Sequence, residues 1–358
     1  MAAEMSAPTQ KKSISVLRRR WQKFRTLKRG WYSFVVLLVV YLISLANPLL
    51  INNRALVVKY QGEYYFPALG TFYPAKTFKQ RIIGEADYRL LDEQFEEEDG
   101  EDWVLMPLYP YHPNESLLGD PMLEGRPPHA PTAEHWLGTD NRARDVFARL
   151  AYGFRISITF ALSVVAISYT LGMAIGSMLG FFGGRIDIYG QRLVEIWSGL
   201  PFLYTVIIIS SLVSPSMWVL ISILSAFFWM RISFYMRGEF YREKAKDYVA
   251  AAIAQGESNA SIMFGHILPN ALTPLISFAP FAIVAAISSL VSLDFLGFGL
   301  PAPTPSWGEM VGQGLQNILK WHLVVFPLGA MFLTLMMVVF IGEAIREAFD
   351  PKVFSRLR

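Results

Sequence analysis

Tyr248-Val-Ala-Ala-Ala-Ile-Ala-Gln-Gly256-Glu-Ser-Asn-Ala-Ser-Ile-Met-Phe-Gly-His266-Ile-Leu-Pro269 is the stretch that decides how this chain is read. It predicts two small-residue helical pieces hinged at Gly256, the second ending at Leu268-Pro269. Ala250, Ala251 and Ala252 favour helix and close approach, and Gly256 permits a sharp bend. The stretch lies between two apolar segments, on the basic side of a membrane protein. An ordered, Gly-hinged helix pair in that position implies that something docks on it.

The rest of the chain supplies the membrane. Of 358 residues, 53% are hydrophobic and 14% aromatic, too apolar for the surface of an ordinary soluble globule. Runs long enough to span a bilayer at about 20 residues each are Trp31–Leu50, Ile156–Phe182, Leu193–Val213, Met217–Met230 (short, extending towards Arg231–Phe234), Leu272–Leu296 and Leu323–Ile341. They predict an all-α integral membrane protein with six transmembrane helices. Most of the 32 Lys and Arg fall in residues 1–30, Arg185–Arg192, Arg231–Gly265 and the tail after Ile341. That distribution places both termini and the 248–269 loop in the cytoplasm. Ser44-Leu45-Ala46 is a passable signal-peptidase site, but the apolar run is long and about thirty residues precede it, so an uncleaved first span is expected.

The expected organisation is a basic cytoplasmic segment (1–30), a first span (31–50), an external insert of about a hundred residues (51–150), a five-helix core (151–345) containing the cytoplasmic loop 231–270, and a cytoplasmic tail (346–358). Residues 1–12 are small, polar and aperiodic, and are expected to be disordered. Residues 13–29 predict an interfacial helix, with Leu17, Trp21 and Phe24 on one face and Arg or Lys around them. It reads as a positive-inside anchor rather than a nucleic-acid site, because it abuts a span. In the insert, apolar-aromatic arms around Gln61-Gly62 predict a β-hairpin. The cluster Asp92, Glu93, Glu96, Glu97, Glu98, Asp99, Glu101 and Asp102 reads as a solvated loop, or as a docking face for an external partner.

Gly172, Gly176 and Gly180 share a helical face and predict close helix packing. Gly183-Gly184 should end that helix before a polar turn at Arg185-Ile186-Asp187. Pro201 should break the third span, and Pro274 and Pro280 the fifth.

Much chemistry is excluded. There is no Cys, no Gly-Lys dipeptide and hence no P-loop, no His-Glu-x-x-His and no Gly-x-Ser-x-Gly. The five His show no metal-ligand spacing. No directly bound cofactor, no metal site and no catalytic residue is expected.

The 248–269 stretch resembles the cytoplasmic "EAA" loop of ABC importer permeases: Glu-Ala-Ala, three residues, Gly, nine residues, then aliphatic-x-Leu-Pro. Here Ala250 replaces the Glu, Gly256 is in place, and His266-Ile267-Leu268-Pro269 closes the pattern, with His266 at the aliphatic position. His-x-Leu-Pro-Asn is similar to the peptide-importer branch. So are His135-Trp-Leu-Gly-Thr-Asp140, Arg144-Asp145-Val146 (with Ala143 for the usual Gly), Tyr152-Gly-Phe-Arg-Ile-Ser157, Leu293-Asp-Phe-Leu-Gly-Phe-Gly-Leu-Pro301, Pro305-Ser-Trp-Gly-Glu-Met310 and Gly342-Glu-Ala-Ile-Arg-Glu-Ala-Phe-Asp-Pro351. The likeness covers roughly residues 13–50 and 132–352, and looks most like the Yej-type microcin C and peptide importer permeases among the C-type dipeptide and oligopeptide permeases.

The resemblance implies a type I importer fold and half of a translocation path. A sister permease would complete the path, and a periplasmic peptide-binding protein would deliver peptide. Two ATP-binding subunits, or one fused double ATPase, would carry ATP and Mg and move the loop as a lever. The residues it assigns to ATPase coupling are Tyr248, Ala250, Ala251, Ala252, Gly256, Glu257, His266, Leu268 and Pro269. Asp294, Pro201 and Ser292 are the expected path residues; Asp294 could meet a peptide amine, or simply pair with water or the sister chain. Glu195 is expected to pair with Arg192. The resemblance also implies a bacterial inner membrane location. Two rivals stay open on the residues alone: a membrane-anchored receptor with an external ligand segment, and an autonomous channel or ion-coupled carrier.

Overall fold

Long apolar runs can cross a bilayer only as helices that satisfy their own backbone, and helices dominate the fold. The computed structural model describes residues 16–98, 100–120, 123 and 125–350. The polar leader 1–12, the start of the basic segment, Asp99 and the tail from residue 351 lie outside them, as does the side chain of Leu17.

In chain order, α1 (Val16–Thr26) leads through Leu27 into α2 (Lys28–Leu45), followed by a short turn of helix, α3 (Asn47–Leu50). The insert holds α4 (Tyr88–Glu98) and three strands, β1 (Val57–Tyr60), β2 (Glu63–Tyr65) and β3 (Trp103–Leu105). Then come α5 (Val146–Phe182), α6 (Gly184–Ser198), α7 (Phe202–Leu212), α8 (Met217–Lys244), α9 (Asp247–Ala254), a π-helical segment (Ser261–Ile267) running into α10 (Leu268–Phe295), α11 (Trp307–Gln316) and α12 (His322–Phe349). Among the described residues, five helices are long and apolar enough to cross a membrane, and α6 with α7, bent by 74°, makes up to six.

The predicted hairpin is present: β1 pairs antiparallel with β2 and, on its other edge, with β3. Gln61 and Gly62 both have positive φ, at 52° and 85°, as a two-residue hairpin turn requires. Five of the acidic residues, Asp92, Glu93, Glu96, Glu97 and Glu98, stand on a helix, while Glu101 and Asp102 lie beyond its end. Residues 88–98 form α4, which buries Tyr88, Leu91 and Phe95 on the sheet and leaves the carboxylates outward. Apolar residues at 88, 91 and 95 give that face a helical period, which the density of charge concealed.

The glycine stripe of α5 packs as expected on α8. A Cβ at Gly172 would lie 2.6 Å from Ile232 Cβ, and one at Gly176 would lie 2.8 Å from Met236 Cβ. Gly183, at φ 65°, ends α5. The polar residues after it are the first turn of α6 rather than a free turn, because Asp187 is held by Arg237 and Tyr241 of α8. Pro201 does break the third span, standing as N-cap of α7. Pro274 and Pro280 do not end the fifth, and α10 continues through both to Phe295. Packed neighbours compensate for the backbone bonds they remove.

The first and last spans close the fold. Phe24 is buried with Ala344 and Ala348 of α12, and Gly30 lets α2 approach the Phe340 carbonyl. The end of the bundle at α11 is fastened by ion pairs. Glu309 of α11 accepts from Arg149 Nη2 at 2.6 Å and from Arg144 Nη2 at 3.1 Å, while Arg144 also holds Asp140.

Candidate functional site

The 248–269 stretch folds into two arms around Gly256. The first arm, α9, buries Val249 and Ala252 and leaves Ala250, Ala251 and Ile253 exposed. Gly256 sits at φ 76° with open space around it, so its role is conformational, since L residues resist that region. The second arm buries Ile262, Met263 and Ile267 against Met236, Phe240 and Leu275. It does not end at Leu268-Pro269 as the sequence suggested. Pro269 lies in the first turn of α10, and the π-helical segment leads into it without a break. A proline lacks the N–H and crowds the carbonyl four residues back, and the wider π turn immediately before it relieves both demands.

Side chains brace the arms from within. Glu257 accepts from Ser261 Oγ at 2.6 Å and lies 2.9 Å from His266 Nε2. The Ser261 hydroxyl, and then His266, hold the Glu257 carboxyl below the usual range. Tyr248 donates to Glu243 Oε2 at 2.9 Å, and Lys246 caps the same carboxylate at 2.7 Å. Burial, with the bond to Glu243 second, raises the Tyr248 phenol. Asn270 donates to the His266 carbonyl at 3.0 Å. Leu268 packs on the buried cluster. Two apolar side chains face outward among the exposed Gln255, Ser258 and Asn259: Ile253 is 54% exposed and Phe264 64%. Sequence reasoning missed both, because the helical period of the second arm becomes clear only once Ile262, Met263 and Ile267 are known to face inward.

The residues assigned to the path do not converge. Asp294 Oδ1 accepts from Leu300 N–H at 2.7 Å and Oδ2 from Ser306 Oγ at 2.6 Å. The carboxylate thus fastens the loop before α11. Ser292 donates to the Ser288 carbonyl of its own helix. Pro201 stands beside Phe202, which faces a cavity of about 430 Å³ between α5, α7, α8 and α10. Ser168, Tyr169, Phe227, Tyr235 and Phe278 also line it, and so does Arg231. The short fourth span expected over Met217–Met230, extending towards Arg231–Phe234, is part of a longer helix, and α8 runs to Lys244. The expected Arg192–Glu195 pair is present at 2.6 Å. Among the described residues no group of three or more metal-ligating side chains forms; His135 is engaged by Asp145 and His129 by Thr139.

Residues 172–355, from the first packing glycine through the loop and the last span, match the model of the "binding-protein-dependent transport system inner membrane component" family. The chain belongs to that family. As a permease of this kind it is 39% identical over 335 residues to the inner membrane ABC transporter permease protein YejE of Escherichia coli (strain K12), covering 93% of this chain and 96% of that protein. It is 36% identical to the peptidoglycan transport system permease protein YejE of Agrobacterium fabrum, covering 94% of this chain and 93% of that one. The dipeptide transport system permease protein DppC of Bacillus subtilis is 34% identical over 70% of this chain and 78% of its own. A chain of the inward-facing MetNI methionine ABC transporter, 16% identical, covers 57% of this permease and 97% of its own length at a TM-score of 0.49. The family match runs from Gly172 within α5 to α12 and includes the loop, and the YejE relatives extend it across the insert.

Proposed function

We propose that this permease imports peptides across a bacterial inner membrane, with both termini in the cytoplasm. It forms half of the translocation path beside a sister permease and receives peptide from a periplasmic binding protein. ATP and Mg belong to two ATP-binding subunits, or to one fused double ATPase, since this chain has no P-loop. The peptide class is supported by the names of the dipeptide and oligopeptide relatives.

The observation that carries the coupling role is the build of the loop. Its shape is held by Glu257–His266 and Tyr248–Glu243, while Ala250, Ala251, Ile253 and Phe264 are exposed apolar residues. A patch of that kind on an ordered cytoplasmic arm fits a protein partner. Force on the second arm is transmitted directly to α10, which walls the central cavity.

The test is ATPase activity and peptide uptake by the reconstituted complex, with wild-type chain and with Gly256→Pro. Proline fixes φ near −65°, against 76° here, and removes the bond from Gly256 N–H to the Ile253 carbonyl. Insertion and assembly with the sister permease should persist while uptake is uncoupled from hydrolysis. Unimpaired uptake would sink the coupling role, and an ATPase indifferent to the whole chain would favour a receptor instead.

A further inference from the structure

Arg231 is the fifteenth residue of the 28-residue helix α8, fourteen residues on from Met217 and six before Arg237. At 1.5 Å per residue it lies about 9 Å along the axis from Arg237, whose guanidinium is neutralised by Asp187. Arg231 has no such partner: among the described residues it makes no hydrogen bond, ion pair or ring contact. An unpaired guanidinium within an apolar span is costly, and such charges mark pathways and ligand sites. Its side chain is exposed and lines an open cavity of about 430 Å³ between four helices, a size suited to a small ligand. The other walls are largely aromatic, with Tyr235 and Phe278 stacked at 5.0 Å between centroids. The hydroxyl groups of Ser168 and Tyr169 also line it. The remaining charge is therefore a lone cation in an apolar, aromatic chamber.

We infer that Arg231 and this chamber form a carboxylate site on the translocation path, which takes the free carboxylate of a peptide in transit. A guanidinium presents paired N–H donors that match a planar carboxylate, and aromatic walls receive apolar side chains without requiring a particular one. The carboxylate could come from the peptide C-terminus or from an acidic side chain. A site that supplies charge but few directional bonds suits release as well as entry. This assignment rests on the peptide-importer reading.

The experiment uses the complete importer, with sister permease, ATPase subunits and binding protein, in proteoliposomes. Uptake is compared for a short alanine peptide as the free acid, the same peptide as its C-terminal amide, and an amidated peptide with one internal Glu. The binding protein is common to every arm, so its own preferences cancel between wild type and variants. The wild-type complex should take up the acid about tenfold faster than the neutral amide, the scale of one charge-assisted hydrogen bond. Arg231→Gln should bring that ratio close to one, and Arg231→Lys should retain most of it. Recovery of uptake by the Glu peptide would assign the carboxylate to side chains as well as termini, and no recovery would assign it to the terminus. An acid-to-amide ratio unchanged in Arg231→Gln overturns the site while leaving the importer intact. Loss of the sister permease on co-purification of Arg231→Gln, with Arg231→Lys restoring it and the ratio unmoved, makes Arg231 an assembly contact and also overturns the site. No uptake of any peptide by the wild-type complex overturns the importer reading, and this assignment with it.

Discussion

Glu257 reaches across nine residues of the 248–269 loop to His266, with Nε2 2.9 Å from its carboxylate, and so ties the turn at Gly256 to the base of α10. The tie is local, polar and at the surface, and the buried packing of Val249, Ala252 and Ile262 lies beneath it. Glu257→Ala should leave the permease folded and inserted but loosen the turn. Amides of residues 257–266 should exchange faster, while those of α9 hold. Peptide uptake per ATP hydrolysed should fall several-fold; unchanged exchange would show that the tie does not order the turn.

The same carboxyl gives a pH dependence. Its folded-state value is below the ordinary one, through Ser261 first and His266 second. Its contribution is therefore complete above the ordinary Glu range and disappears as pH falls through the lowered value. The protection that wild type has over Glu257→Gln should be flat between pH 6 and 5 and should shrink only below about pH 4.3. A decline that is already complete at pH 5 contradicts this.

The glycine stripe of α5 is a packing device. At Gly176 a Cβ would meet Met236 Cβ at 2.8 Å and Ser233 Cα at 2.9 Å, and helix backbones cannot yield as a flexible side chain can. Gly176→Val should destabilise the purified protein by about 1–3 kcal/mol, as overpacking does. Gly238, in α8 with nothing within 4 Å of its would-be Cβ, is the control. Gly238→Ala should be neutral or stabilising by up to about 1 kcal/mol, from helix propensity. Detergent-resolved melting curves of the two variants should move in opposite directions, or only the first should move.

Glu309 of α11 joins two arginines, and Arg149 is buried. Removing the carboxylate leaves a buried guanidinium short of its counter-charge, a loss of about 3–5 kcal/mol. Glu309→Ala should lower the melting temperature far more than Arg192→Ala, whose pair with Glu195 is exposed and should be worth at most about 1 kcal/mol.

Asp294 has both oxygens committed within the chain. Asp294→Asn should lower stability without altering the relative uptake of peptides with free and acetylated amino termini. A change in that ratio would return Asp294 to the substrate path.

Much of this was legible before any coordinates. Span positions follow from uninterrupted apolar runs, the α5 packing face from glycines four apart, and the hairpin from Gln61-Gly62 between aromatic arms. The loop was readable as a spacing, but the Glu257–His266 tie joins residues nine apart that no regular period pairs. The apolar run before Arg231 is too short to show the full length of α8, which continues past the charge to Lys244. The acidic run was read as a loop because eight carboxylates outweigh three apolar residues in composition, although those three set the fold of α4. Asp294 was marked by position alone, and which donors would meet it depended on how the segment to Ser306 turns back.

The contact between α1 and α12 has a consequence for biosynthesis. Lys23 donates to the Glu347 carbonyl across 324 positions of chain, and Phe24 is buried in a cluster with Ala344 and Ala348. At about 5–20 residues per second, that span takes roughly 15–65 s to translate. For that interval the aromatic cluster of Trp21, Phe24, Trp31 and Phe34 exists without its final cover. A basic helix with an aromatic face can wait at the lipid headgroups, so the bilayer itself acts as the holdase for the nascent amino terminus until the ribosome delivers the last helix.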